Sequence, residues 1–307
     1  MDSYFKYRTM SIFTHLQKCR WLIHVLLLSG IAPLSAIQIA NFDTLTNDRF
    51  ANDASFVASQ FDLSGVAFNG RWATMISPNV YITAEHFAPA AGGSITFYAS
   101  NDPNGTSVTR QISTTRQQIG SSDLFVGTLD AALPAGFSFY DFATEDISTA
   151  PNGPGSFAQS PYNGANAYLF GRSPSSFPSS QNIAVGRNAL DRIFLNQTAA
   201  GNTGDAIGAT DDRPDGVTFE AMLESGDSGA PLFVENSEGG LTIVGINWFI
   251  GNDGTNDLLG ASYLGNYDAE IQAFIDANPV PEPSSLLLLL SVAGGLFILR
   301  RRLCSRL

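Results

Sequence analysis

Three short segments carry residue types that could work together. Thr83-Ala84-Glu85-His86-Phe87 ends an apolar run in a histidine. Asp123 opens a second run, Leu124-Phe125-Val126-Gly127-Thr128-Leu129. Glu224-Ser225-Gly226-Asp227-Ser228-Gly229-Ala230-Pro231-Leu232 sets a serine among glycines ahead of a third run. A serine hydroxyl is a weak nucleophile until a base takes its proton. An imidazole is such a base near neutral pH, and a carboxylate can hold its other ring nitrogen. Singly, each segment has an ordinary reading as well: a surface or capping histidine, a turn aspartate, a glycine-rich turn. The order His, Asp, Ser makes the set more specific than its parts.

The elements that must position these residues read as short β-runs broken by Gly, Asn, Asp and Pro. Strands are expected within 64–68, 73–84, 94–99, 123–129, 166–171, 218–223, 231–235 and 241–250. The histidine then sits at a strand end, and the aspartate at the start of a strand. One stretch reads as helix: Tyr267 to Ala277 puts Ile271, Phe274 and Ile275 on one face. Many strands with a C-terminal helix indicate an all-β barrel or sandwich. The Ser/Pro-rich run 172–181 reads as a long surface loop, and no repeat of fixed period is present.

The chain of 307 residues has three histidines, His15, His24 and His86. The first two fall in a segment with the marks of a secretory leader. Lys18-Cys19-Arg20 precedes the apolar run WLIHVLLLSGIA, and Pro33-Leu34-Ser35-Ala36 forms a small-residue exit. That run is short of the roughly 20 residues of a membrane span. Residues 1–40 are expected to be a signal region, cut after Ala36 or Ala40, with an overlong start before Lys18. The alternative is a buried N-terminal helix. His86 is then the one imidazole of the working protein.

Residues 41–279 form the expected mature domain. Both cysteines, Cys19 and Cys304, and both lysines, Lys6 and Lys18, lie outside it, so it has no disulfide, no thiol nucleophile and no lysine base. Eight arginines face 26 acids there, a net charge of −18, which argues against a nucleic-acid backbone as partner and favours solubility. With no cysteine and one histidine, the usual zinc ligand sets cannot be built, and no metal is expected. Calcium at Asp211-Asp212-Arg213-Pro214-Asp215 is open, but the spacing is not that of an EF-hand and a solvated turn is the simpler reading.

The C-terminal end, 280–307, has three parts in order: Pro281-Glu282-Pro283, an apolar run from Leu286 to Leu299, and Arg300-Arg301-Arg302. The basic stop places the tail's end on the cytoplasmic side, with the body outside. This tail resembles the PEP-CTERM sorting signal of Gram-negative bacteria. The resemblance implies an exosortase as partner, transient inner-membrane anchoring, and a final place in the cell envelope or outside the cell. A plain tail anchor is the alternative.

The interior, from about Ser64 to Ala277, resembles the trypsin/chymotrypsin family of serine peptidases. The matching motifs are Thr83-Ala84-Glu85-His86-Phe87, Asp123 to Leu129, and Gly226-Asp227-Ser228-Gly229-Ala230-Pro231. The resemblance implies two six-stranded antiparallel β-barrels with a C-terminal helix, the site lying in the cleft between them. It implies a triad of His86, Asp123 and Ser228, an oxyanion hole from the backbone N–H groups of Gly226 and Ser228, and a structural role for Asp227. It implies a monomer that needs no cofactor and acts on proteins or peptides.

The departures are informative. Phe87 stands in place of a cysteine, as an apolar plug, and Ala230 in place of a glycine. No Ile-Val-Gly-Gly start is found near 41–60 to supply the amine that pairs with Asp227 in the family, so an unrecognised N-terminus or an internal arginine or polar group must satisfy it. The primary pocket is expected at Met222, Trp248, Phe249 and Ile250, shallow and apolar, without an acid at its base. Glu85 replaces an alanine. An exposed side chain is expected there; an approach to the imidazole would raise the histidine pKa. Two other functions stay open: a non-catalytic binding or matrix protein, and a serine esterase.

Overall fold

The computed structural model describes residues 35–147, 160–211 and 217–280. The expected leader as far as residue 34, the expected sorting tail from 281 and most of the acidic 211–215 run lie outside the described residues. Among the described residues no helix is long and apolar enough to cross a membrane.

The first unit is a nearly closed six-stranded antiparallel barrel. Its strands are β2 (Val66–Phe68), β3 (Trp72–Met75), β4 (Val80–Ala84), β5 (Ser94–Tyr98), β6 (Ser107–Gln118) and β7 (Leu124–Leu129). They run in the order β2-β3-β4-β7-β6-β5, with β2 lying back against β5. β4 is buried at every position because β3 and β7 flank it and both faces are covered. Its Val-Tyr-Ile-Thr run suits such a strand, since β-branched and aromatic side chains pack well on a pleated surface.

The second unit runs β10-β9-β14-β15-β16-β12-β11, also antiparallel. These are β9 (Asn166–Gly171), β10 (Ala184–Ala189), β11 (Arg192–Ala199), β12 (Asn202–Thr210), β14 (Pro231–Glu235), β15 (Leu241–Asn252) and β16 (Asp257–Tyr263). β10 comes back against β12, and a short β8 (Asp141–Phe142) adds in parallel to β15. The fold is the all-β, chymotrypsin-like arrangement, with one strand beyond six in the second unit's path.

A single apolar cluster joins the units. Trp72, Ile82 and Val126 of the first pack in one group with Phe170, Phe233 and Ile246 of the second. Burying each large apolar side chain contributes about 1.5–3 kcal/mol, so the seam is part of the core. Each unit also has its own interior, around Tyr81 and Phe97 in the first and around Leu169 and Leu259 in the second.

Two flanking segments strap the seam. The N-terminal arm pairs β1 (Gln38–Ile39) with β13 (Ala221–Met222) in the second unit. It then reaches Arg49, a fully buried guanidinium that donates to the carbonyls of Val66 and Tyr98 in the first. Ile37 and Ile39, ahead of residue 41, are therefore buried parts of the folded domain. Cleavage after Ala36 would keep β1, whereas cleavage after Ala40 would remove it. The C-terminal helix, Asp268–Ala277, buries Ile271 and Phe274 and half-buries Ile275, on the expected face. Asp268 and Glu270 in its first turn favour the positive end of the helix dipole.

Candidate active site

Strand pairing brings His86 to Asp123. β4 and β7 pair with Ala84 opposite Leu124, and Glu85 N–H donates to Asp123 O at 2.8 Å. The next residue on each strand end must then meet. β4 closes in a single 3-10 turn, Glu85–Phe87, which turns the imidazole back over Asp123. Asp123 Oδ2 lies 2.8 Å and Oδ1 3.0 Å from His86 Nδ1, and Oδ1 also accepts His86 N–H at 3.1 Å. The carboxylate is fully buried, while the imidazole side chain is 22% exposed. A carboxylate accepts only, so Nδ1 carries the proton, and Nε2 is the ring nitrogen left to receive one.

Ser228 lies in the turn between β13 and β14. Asp227 N–H donates to Glu224 O and Ala230 N–H to Asp227 O, which curls the chain tightly. Gly226 has φ +102° and Gly229 φ +90°, a region that only glycine enters without strain. The turn docks on the strand that leads to His86. A Cβ on Gly229 would lie 2.6 Å from Thr83 Oγ1 and 3.3 Å from Ala84 N, and Trp72 Nε1 donates to Gly226 O at 3.5 Å. Among the described residues no hydrogen bond joins Ser228 to His86, and none occupies the N–H of Gly226 or of Ser228.

Asp227, next to the serine, is also a fully buried carboxylate. Backbone amides satisfy it: Arg172 N–H donates to Oδ1 at 2.7 Å and Glu224 N–H to Oδ2 at 2.9 Å. Burial pushes its carboxyl up to about 7, against the lowering effect of those two amides and of the Arg172 charge. The Arg172 guanidinium donates elsewhere, to Ser35 O and Ser225 O. Of the partners open to Asp227, the structure supplies internal backbone N–H groups. The run expected as a surface loop from residue 172 is thus anchored at its start, and Ser173 is buried.

Beside Ser228 is a cavity of about 240 Å³ lined by Leu223, Glu224, Ser225, Asn247, Trp248, Phe249 and Ile250. Met222 is not part of its lining. It is 5% exposed and packs in the second unit's core, its backbone paired with Gln38. The lining place goes to Leu223, the first residue after the strand, which also packs in that core. Phe249 stacks edge-on against both Trp248 and Phe194. Glu224 was not expected here; its carboxylate accepts from Gln38 Nε2.

Glu85 is half-buried rather than exposed, and its Oε2 accepts from Asn202 Nδ2 at 3.1 Å. Phe87 packs against the seam core under the Arg71 guanidinium, 3.8 Å from the ring centre.

No family model matches the chain, and no curated protein matches it by sequence. Solved structures similar to it include the passenger domain of plasmid-encoded toxin, an autotransporter enterotoxin from enteroaggregative Escherichia coli. That pair is 15% identical with a TM-score of 0.47, covering 69% of this chain and 22% of the other. The chain therefore spans about a fifth of that passenger domain's length. An inactive mutant of the murine norovirus protease is 13% identical, TM-score 0.39, over 65% of this chain and 92% of the other. A scabies mite inactivated protease paralogue is 19% identical, TM-score 0.43, over 71% and 98%. The site stands on its own geometry, apart from these likenesses.

Proposed function

We propose that the chain is an exported serine endopeptidase. The observation that carries this reading is the Asp123 carboxylate held on His86 Nδ1, which leaves Nε2 as the acceptor, with the Ser228 turn docked on the same strand end. In the reaction Ser228 Oγ attacks the scissile carbonyl while its proton passes to His86 Nε2, and Asp123 stabilises the imidazolium. The N–H groups of Gly226 and Ser228 receive the developing oxyanion, each worth about 100- to 1,000-fold in rate. His86 then hands the proton to the leaving amine, and water, activated by the same imidazole, releases the acyl group. No step calls for a cofactor.

The leader and the sorting tail support export, transient anchoring at the inner membrane and removal of the tail by an exosortase. The cavity beside Ser228 is small and lined by Leu223, Trp248, Phe249 and Ile250, which supports cleavage after small or medium apolar side chains. Glu224 sits at the same cavity but is engaged by Gln38. Reporter peptides ending in Ala, Val, Phe and Arg will rank this preference, and a preference for Arg would overturn it.

Ser228→Ala should lower kcat by about 10⁶-fold, with the melting temperature unchanged within a few degrees because Ser228 makes no hydrogen bond to the imidazole. That missing bond is the one feature that favours a non-catalytic binding role instead. Apo sites often tighten it only with substrate present. Labelling of Ser228 by a fluorophosphonate decides between the two, and no labelling of the folded protein would sink the peptidase reading.

A further inference from the structure

We propose that Asn202, from the second unit, is a positioning residue for the His86–Asp123 pair, acting through its side-chain amide on Asp123 and Glu85 together. The proposal rests on the peptidase reading of the site, but its test does not need turnover.

Asn202 opens β12 directly after the Ala200–Gly201 turn, where both residues have positive φ, 51° and 86°. Such a two-residue turn reverses the chain tightly, and the hairpin tip reaches across the seam. Thr203 N–H donates to Ser121 O at 2.9 Å and Ser121 Oγ to Thr203 O at 2.9 Å, while Trp248 Nε1 donates to Ala199 O at 3.2 Å. These bonds hold the tip on the loop that carries Asp123. Asn202 is 7% exposed. Its Nδ2 is 2.6 Å from Asp123 Oδ1 and 3.1 Å from Glu85 Oε2. Its Oδ1 is 2.9 Å from Gln118 Nε2, which also donates to Ser122 O at 2.8 Å.

The chemistry admits one orientation of the amide. The Ser122 carbonyl only accepts, so Gln118 must turn its NH₂ toward it, and the same NH₂ faces Asn202 Oδ1. Asn202 then presents its NH₂ to two carboxylates, and its two protons match two acceptors. The reverse orientation would set an oxygen against both carboxylates. The chain of donors thus runs from Gln118 through Asn202 to Asp123, which accepts the His86 Nδ1–H bond from the other side.

Two consequences follow. The Asn202 bond fixes the plane of the Asp123 carboxylate and so keeps Oδ2 on His86 Nδ1. It also draws charge from Oδ1 and bridges two carboxylates that would otherwise repel. Losing it concentrates negative charge on the imidazole and raises the histidine pKa. Other titratable groups packed near the hairpin are Asp205, held by Asn266 Nδ2 and Asn196 N–H; Tyr267, whose hydroxyl accepts Asp205 N–H; and Glu270, against Gly120. Arg116 of β6 lies over Phe125. Among the described residues none of these bonds to His86 or Asp123.

The experiment uses the full chain carrying His15→Gln and His24→Gln, so that His86 gives the single imidazole signal in ¹⁵N NMR. Asn202→Leu keeps the volume and removes the donors. Its His86 titration, and the acid limb of kcat/KM, should move up by about 0.5–1 pH unit, and kcat should fall about 10- to 100-fold with KM little changed. Asn202→Ala, which admits water to the orphaned oxygens, covers the case in which the leucine variant does not fold and should shift the same way by less. Adding Glu85→Gln to Asn202→Leu offers Asp123 a new amide donor and should bring the titration back. A His86 titration equal to wild type in the folded variants overturns the proposal. Absence of both hydrolysis and fluorophosphonate labelling in wild type would overturn the peptidase reading instead, while the titration still decides the role of Asn202.

Discussion

Asp123 and Asp227 are equally buried, one in each β-unit, and they are held by different means. Asp123 takes side-chain donors, the His86 imidazole and the Asn202 amide, together with one backbone N–H. One of those donors comes from across the seam. Asp227 takes two backbone N–H groups, both from its own unit, and burial drives its carboxyl up to about 7. Burial alone therefore does not define a buried acid. Backbone donors fix a position and leave the proton free to come and go. An imidazole donor couples the carboxylate to a group that must itself change protonation.

The largest break in this comparison is Asp123→Asn. Oδ1 receives two N–H donors, from His86 N and Asn202 Nδ2, so the amide oxygen must occupy its place. The amide NH₂ then falls on the Oδ2 side, against His86 Nδ1. Nδ1 becomes the acceptor, the proton moves to Nε2, and the base is lost. kcat should drop by about 10⁴-fold with the fold retained, which peptide hydrolysis and a melting curve will show. A loss below tenfold would mean that His86 works without Asp123.

How much of this was legible follows from the same contrast. His86, Asp123 and Ser228 could be picked out because each borders an apolar strand with clear punctuation, and the β4–β7 register does the rest. Asn202 and Gln118 could not. Gln118 ends β6, whose run SVTRQISTTRQQ is exposed or half-exposed at all but one position, so it shows no hydrophobic alternation. Asn202 begins β12, whose Asn-Thr-Gly-Asp start reads as a turn. A donor that crosses the seam belongs to no local pattern, since the contact is made by tertiary packing. The place of Met222 was misjudged for a smaller reason. The residue that reaches the cavity, Leu223, is the one that follows β13, and the pairing of Gln38 with Met222 shows where that strand ends.

Asp227 supplies the next test, through pH. Its folded pKa, about 7, lies above the ordinary 3.8. The unfolded chain therefore gives up this proton first, and the contribution to stability is full below about pH 4 and lost as pH rises through about 7. The ceiling is on the order of 4 kcal/mol. Urea midpoints at pH 4.5, 6 and 7.5 for wild type minus Asp227→Asn should isolate this fall; a flat difference would reject it. A chain beginning at Ile37 sharpens the point. Ile37 N donates to Arg172 O at 3.1 Å, and Ile37 and the Asp227 carboxylate both lie within 3 Å of where a Cβ on Gly171 would stand. A free ammonium there would favour the ionised acid, so the fall should be shallower than in the full 307-residue chain.

The smallest effect tests whether the turn that carries Asp227 depends on the first unit at all. Gly229 is the point of contact, with its φ of +90° and its close approach to Thr83 Oγ1. Among the described residues Thr83 Oγ1 is buried with no hydrogen-bond partner, so nothing polar rewards the contact, and its worth lies in proximity. Gly229→Ala adds strain from the backbone and a clash with Thr83 and Ala84. Together these should cost about 1–3 kcal/mol and lower the melting temperature by a few degrees. The same push moves Ser228 away from the end of β4, so kcat should fall by more than the stability change alone would give, while the His86 titration stays in place because Asp123 and Asn202 are untouched. A variant that loses stability but keeps its kcat would show that the serine turn holds its own position, and that the seam is built by the Asp123 side alone.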